Sequence, residues 1–115
     1  MGVYKMTDNL LNKWTIAKTL GQDYIEEWDE AFIIDKKVQN LSPVTIHFYQ
    51  SKLKLFLDYC NSIILKRVRQ ITTNILRNFL FYLEEKGHNP GGIHAAYRTI
   101  RTFLNWWEQE VEPED

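Results

Sequence analysis

The sequence predicts an all-α domain, a compact bundle of four main helices, or five counting a short N-terminal stretch. Three observations predict it. Apolar residues recur at spacings of three and four along each candidate helix. Several of these stretches open on Ser, Thr or Asn, the residues that cap helix starts, and two of the caps are followed by Pro. No segment of four to eight residues alternates strictly enough to make a strand.

Taken in order, Met1–Thr7 is a leader. Asp8 to Leu20 carries Leu10, Leu11, Trp14, Ala17 and Leu20 at helical spacing, with Gly21 as a stop. Tyr24 to Asn40 is the next helical segment, with Trp28, Ala31, Phe32 and Val38 on its buried side. Its acids Glu26, Glu27, Asp29 and Glu30 sit near the start, where the helix dipole favours them. Ser42 then caps a helix with Pro43 in its first position, and Leu41 and Ile46 are spaced for a hydrophobic staple. This helix should run to about Asn61, burying Ile46, Tyr49, Leu53, Phe56, Leu57 and Cys60.

Ser62–Gln70 reads as a connector that tucks Ile63, Ile64 and Leu65 into the core, although those residues also suit a short extended piece. Thr72 starts another helix, stapled by Ile71 and Leu76, with Ile75, Leu76, Phe79, Leu80 and Leu83 inward and Gly87 as its terminator. Asn89 and Pro90 open the last helix. Its apolar stripe is Ile93, Ala96, Tyr97, Ile100, Phe103, Leu104 and Trp107, and it should end near Glu110. Residues 1–27 are therefore an extension, 28–110 a single domain and 111–115 the start of a linker.

Composition narrows the function classes. At 44% apolar and 14% aromatic, the 115 residues can build a true core. The longest apolar run, Phe79–Leu83, is five residues, too short to span a membrane. The N-terminus lacks the apolar stretch of a signal peptide, so a cytoplasmic location is expected. The single Cys60 cannot form an internal disulfide and reads as a buried thiol. The net charge of −1 conceals a division into three blocks. Residues 1–35 carry −4, residues 36–101 carry +8 and residues 102–115 carry −5. Because charges act over about 8–10 Å in physiological salt, the basic middle block matters more than the total.

No catalytic motif is present. His47, His88 and His94 lack the spacing of metal ligands, Gly91-Gly92 is not a P-loop, and Glu84-Glu85 reads as a solvated helix end, so neither a metal nor another cofactor is expected. What remains is a binding surface. The helix starts at Ser42 and Asn89 offer backbone N–H groups and positive dipole ends suited to phosphate oxygens. Gly91 and Gly92 either let phosphate approach the backbone or permit tight helix packing. Thr45, His47, Gln50 and Lys54 on one helix, and His94, Arg98 and Arg101 on another, are residue types that contact phosphates and base edges. An ordinary wet surface would contain the same residues.

The segment from about Trp28 to Glu110 resembles the SAM-like core-binding domain of the tyrosine recombinases, the phage-integrase family. The resemblance lies in LSPVTIHFYQSKLKLFLDYC at 41–60, ITTNILRNFLFYLEE at 71–85 and GHNPGGIHAAYRTIRTFLNWWEQE at 87–110. Ser42 and Thr45 meet the family's Ser-x-x-Thr helix start. Tyr49 and Leu53–Phe56 follow, then Ile71-Thr72, then Arg101 and Phe103. The resemblance implies a four-helix domain forming half of a clamp on double-stranded DNA. The helices beginning at Pro43 and Pro90 would approach the major groove, with contacts near Thr45, His47, Gly91, Gly92 and Ala95. Many members carry Lys, Thr or Arg where this chain has Gly91, Gly92 and Ala95, so backbone contacts or His94 and Arg98 must substitute. It also implies a separate catalytic domain beyond Asp115, other recombinase protomers as partners, and no strand cleavage by this fragment alone. The rival expectation is a helical protein–protein interaction module without DNA activity, favoured by the low net charge and the acidic ends.

Overall fold

The computed structural model describes residues 22–111. The expected helix at Asp8–Leu20 and the residues beyond Val111 lie outside them. The described chain forms α1 (Ile25–Val38), α2 (Pro43–Ser62), a 3-10 turn at Val68–Gln70, α3 (Thr73–Glu85) and α4 (Pro90–Val111). Helices α2 and α4 pack directly on each other, α1 packs on both, and α3 lies along α4. The four-helix SAM-like bundle expected from the sequence is the one observed.

The helix starts follow the local chemistry. Ser42 Oγ accepts from the Thr45 N–H at 3.2 Å, and Thr72 Oγ1 accepts from the Ile75 N–H at 3.2 Å. Asn89 Oδ1 accepts from the Gly92 N–H at 2.7 Å. Helix α1 has no side-chain cap. The connector supplies its partners instead. The Ile25 N–H donates to the Lys66 carbonyl at 2.9 Å and the Val68 N–H donates to the Asp23 carbonyl at 2.8 Å, with Tyr24 and Arg67 forming a single antiparallel bridge. Buried Asp23 locks this junction. It accepts from Arg67 Nη1 at 2.9 Å and from the Arg69 backbone N–H at 3.1 Å.

Three helix ends share one device. After α1, α2 and α3 the chain turns through a left-handed residue: Asn40 at φ 65°, Ile64 at φ 57° and Gly87 at φ 93°. At each, the following N–H reaches back to the helix: Leu41 to Lys36, Leu65 to Cys60 and His88 to Leu83, at 3.2, 2.8 and 3.1 Å. This is the Schellman arrangement, which satisfies otherwise unpaired carbonyls. Gly and Asn adopt that conformation readily. A β-branched residue such as Ile64 does so only under strain.

The core is aromatic. Phe32 of α1 meets Tyr49 of α2 at 5.4 Å and Phe103 and Trp106 of α4 at 5.6 and 5.4 Å, all edge to face. Phe56 meets Phe79 of α3 at 5.0 Å, and Trp28 meets Trp106 and Trp107. Two expectations need correction. Val38 is 61% exposed, because it is the last residue of α1, where the chain turns away. Ile63 and Ile64 do not enter the core. They are the turn that closes α2, and Ile64 is 80% exposed; of the three residues expected inward only Leu65 is buried, joined by Val68.

Between α1 and α2, one oxygen of Asp29, Oδ1, is enclosed with no hydrogen-bond partner. Burial, then the charges of Glu26 and Glu30, hold this carboxyl well above the usual carboxylate range. Burial and then the Asp29 charge push the Cys60 thiol up to about 12, so the cysteine is an inert core residue, as expected.

Two measurements check this account. Ile64→Gly relieves the left-handed strain and should stabilise the chain by about 1 kcal/mol, read as a higher urea midpoint; a lower midpoint would contradict the strain. Asp29 keeps its proton when folded at pH values where the unfolded chain has released it. Stability should therefore fall as pH rises above about 4, until the folded carboxyl has also ionised. Asp29→Asn should remove that component, so its advantage over the parent should grow with pH in denaturation curves. A constant difference across the series would be inconsistent with a raised carboxyl.

Candidate nucleic-acid interface

The two helices expected to carry the site, α2 and α4, are neighbours, and the structure sorts the candidate residues into groups. At the start of α2, Ser42 and Thr45 are tied together. The Ser42 hydroxyl donates to Thr45 Oγ1 at 3.0 Å while accepting from the Thr45 N–H. At the start of α4, Asn89 holds the Gly92 N–H with its side chain and the Ile93 N–H with its carbonyl. Because Pro43 and Pro90 have no N–H, these caps leave a single outward first-turn amide on each helix, Val44 and Gly91. The helix starts are less rich in donors than the bare sequence suggests.

The glycines are not packing residues. A Cβ built on Gly91 would meet nothing closer than Asn89 Oδ1 at 3.5 Å, and on Gly92 the same atom at 3.3 Å. Among the described residues no neighbouring helix comes within 4 Å of a Cβ at either position. At Gly92 the cap itself presses on any side chain.

Arg98 is exposed and forms no ion pair among the described residues. Arg101 points its Nη1 to the Tyr97 hydroxyl at 3.0 Å, which fixes the guanidinium along the helix without neutralising it. His94 is exposed and lines a groove at the α3–α4 hairpin with His88, Glu84, Tyr97 and the exposed ring of Phe81. On α2, His47 is exposed and Thr45 half-buried. Gln50 and Lys54 turn elsewhere. They line a groove shared with Glu26, Asp29 and Glu30 of α1, and Lys54 pairs with Asp58 at 3.4 Å.

Sequence reasoning passed over two features. Arg67 and Arg69 converge on Asp23, with Arg67 stacked 4.6 Å from the Tyr24 ring and Arg69 5.2 Å from the Trp107 ring. No short-range pattern announces an ion pair between residues more than forty positions apart. The second is the outward face of α2 at Val44 and Phe48, 80% and 40% exposed. Their spacing of four, off the core stripe, was a readable signal. Among the described residues no group of three or more His, Cys, Asp or Glu side chains could hold a metal, and no helix is long and apolar enough to cross a membrane.

Four helices around an aromatic core, with exposed basic side chains on α4 and an open glycine turn at its start, define a small SAM-like helical domain. Residues 25–111 match the family model described as phage integrase, N-terminal SAM-like domain, and the chain belongs to that family. It is 30% identical over 87 residues to the tyrosine recombinase XerC of Oceanobacillus iheyensis, a match covering 76% of this chain and 28% of that protein. The chain thus spans little more than a quarter of the relative's length. No solved structure matches it.

The open surroundings of Gly91 yield a test of why it is there. Gly91→Ala should stabilise the domain by about 0.5–1 kcal/mol through helix propensity alone, raising the thermal midpoint. A lower midpoint would mean that the position is needed for packing after all.

Proposed function

We propose that this domain binds double-stranded DNA as one half of the clamp of a site-specific tyrosine recombinase or integrase, acting in the cytoplasm alongside other recombinase protomers. The observation that carries the reading is Arg98 on α4, exposed and without an ion pair among the described residues, on the same helix as the Gly91 turn, where only Asn89 Oδ1 among them would touch an added Cβ. Family membership and the likeness to a tyrosine recombinase support it. In this reading Arg98 and Arg101 neutralise phosphates. The Gly91 amide, at the positive end of the helix dipole, donates to a phosphate oxygen, and Ser42 and Asn89 set the geometry of the two helix starts. Thr45, His47 and His94 face the groove. Gln50 and Lys54 are weaker candidates, because they line a groove of mixed charge with Glu26, Glu30 and Lys37, and Lys54 is paired with Asp58. The strand-cleaving chemistry of a recombinase is assigned to residues outside this domain.

A second reading, a protein-interaction module, draws on the exposed Phe81 beside the hairpin groove. Titration of labelled duplex DNA with the 115-residue chain across a salt series separates the two. If about four phosphates are contacted, log K falls with log salt at a slope of about −3 to −4. Arg98→Glu should weaken binding on the order of tenfold and reduce the steepness of that slope by about one. Absence of duplex binding, or binding indifferent to salt and to Arg98→Glu, would refute the DNA reading.

A further inference from the structure

We infer that Val44 and Phe48 form an apolar reading strip on α2 that recognises thymine 5-methyl groups in the major groove. The inference rests on the reading that α2 faces a duplex, and it names what that helix detects there.

Helix α2 presents three sides. One is core, with Ile46, Leu53, Phe56 and Cys60 buried. A second faces α1 across the groove that holds Gln50, Lys54 and three acids. The remaining side carries Val44, His47, Phe48 and Ser51, all exposed. From Pro43 to Leu57 the helix contains no Asp or Glu; the first acid on this side is Asp58, four turns from the helix start and paired with Lys54 at 3.4 Å.

Most polar groups there are already engaged. The Ser51 hydroxyl donates to the His47 carbonyl at 3.0 Å, and the Ser42 hydroxyl donates to Thr45 Oγ1 at the same distance. Apart from His47, the side chains free to touch a base edge are apolar. Val44 stands 80% exposed in the first turn. Phe48 sits one turn further on, its ring tilted against Tyr49 at 6.2 Å and covered by Lys52 Nζ at 5.6 Å. These contacts orient the ring and set a cation at the edge of the strip, where a phosphate wall would stand. The apolar feature that a major groove offers is the thymine methyl, so an apolar strip flanked by positive charge selects A·T pairs by contact with that methyl. Unlike a bidentate polar contact, it leaves no buried donor unsatisfied at a mismatched pair, so discrimination at each position is modest.

The test is to select preferred duplexes from a randomised pool with the full 115-residue chain and then replace each thymine of the best site by uracil, which lacks only the methyl. At least one replacement should weaken binding by about fourfold, the size of one buried methyl group. In Val44→Ala or Phe48→Ala, checked for native helix content by circular dichroism, the thymine-to-uracil ratio at that position should collapse to about one, and Val44→Thr should keep part of it. Uracil tolerated at every position, a penalty persisting in both alanine variants, or a selected pool without sequence preference would overturn the inference while leaving salt-dependent binding intact. No duplex binding at any salt would instead overturn the DNA reading beneath it.

Discussion

The fold turns on the ring of Phe32. It is fully enclosed, and its neighbours Tyr49, Phe103 and Trp106 come from α2 and α4. Edge-to-face aromatic contacts are directional as well as apolar, so this nest sets how α1 leans on the pair behind it. The α2–α4 pair is the platform on which both candidate helix starts are mounted. Any shift at Phe32 would move the outward faces of those helices relative to each other. The position of a surface several ångströms away thus depends on packing that has no polar role itself.

A second constraint is the accounting of backbone groups at helix ends. Three Schellman turns satisfy the carbonyls at the ends of α1, α2 and α3, and Ser42, Thr72 and Asn89 take up first-turn amides. Two prolines remove further donors. The result is a domain with sharply ended helices and few spare N–H groups, so any anion held at Val44 or Gly91 meets one amide and a dipole. Such a site is weak alone, and an unpaired side-chain charge such as Arg98 is needed beside it. The same economy explains why Ile64 tolerates strain: the left-handed turn lets Leu65 return to the core and brings the connector back to cap α1.

Much of this was legible in the chain. The caps at Ser42 and Thr72 follow from residue type and a spacing of three, and such local hydrogen bonds are written in adjacent letters. The inward faces of α2, α3 and α4 followed from periodicity, because one stripe dominates each. Val38 was misjudged because periodicity identifies a face but does not say where along a helix the core ends. Ile63 and Ile64 were misjudged because apolar character was taken as burial, whereas turn geometry decided their direction. The Asp23–Arg67–Arg69 clasp was beyond reach, since it joins segments that meet only once the fold exists. The surroundings of the candidate site are less legible than the fold. Gln50 and Lys54 share a groove with Glu26, Glu30 and Lys37 of α1, a neighbourhood that spacing within α2 does not announce.

That last juxtaposition gives the surface its direction. Helix α2 separates a groove of mixed charge, where Glu26 and Glu30 meet Lys37 and Lys54, from a side whose own residues up to Leu57 include no acid. A helix with its side chains is about 10–12 Å across, close to the Debye length of about 8–10 Å at physiological salt. The two sides are therefore electrostatically independent to a useful degree. On the α1 side Glu26 and Glu30 stand among Lys37 and Lys54, whereas on the Val44–His47 side the first acid of α2 is Asp58, four turns from the helix start. The formal charge of −1 therefore says little about any one side of the molecule, because charges act locally over about a Debye length.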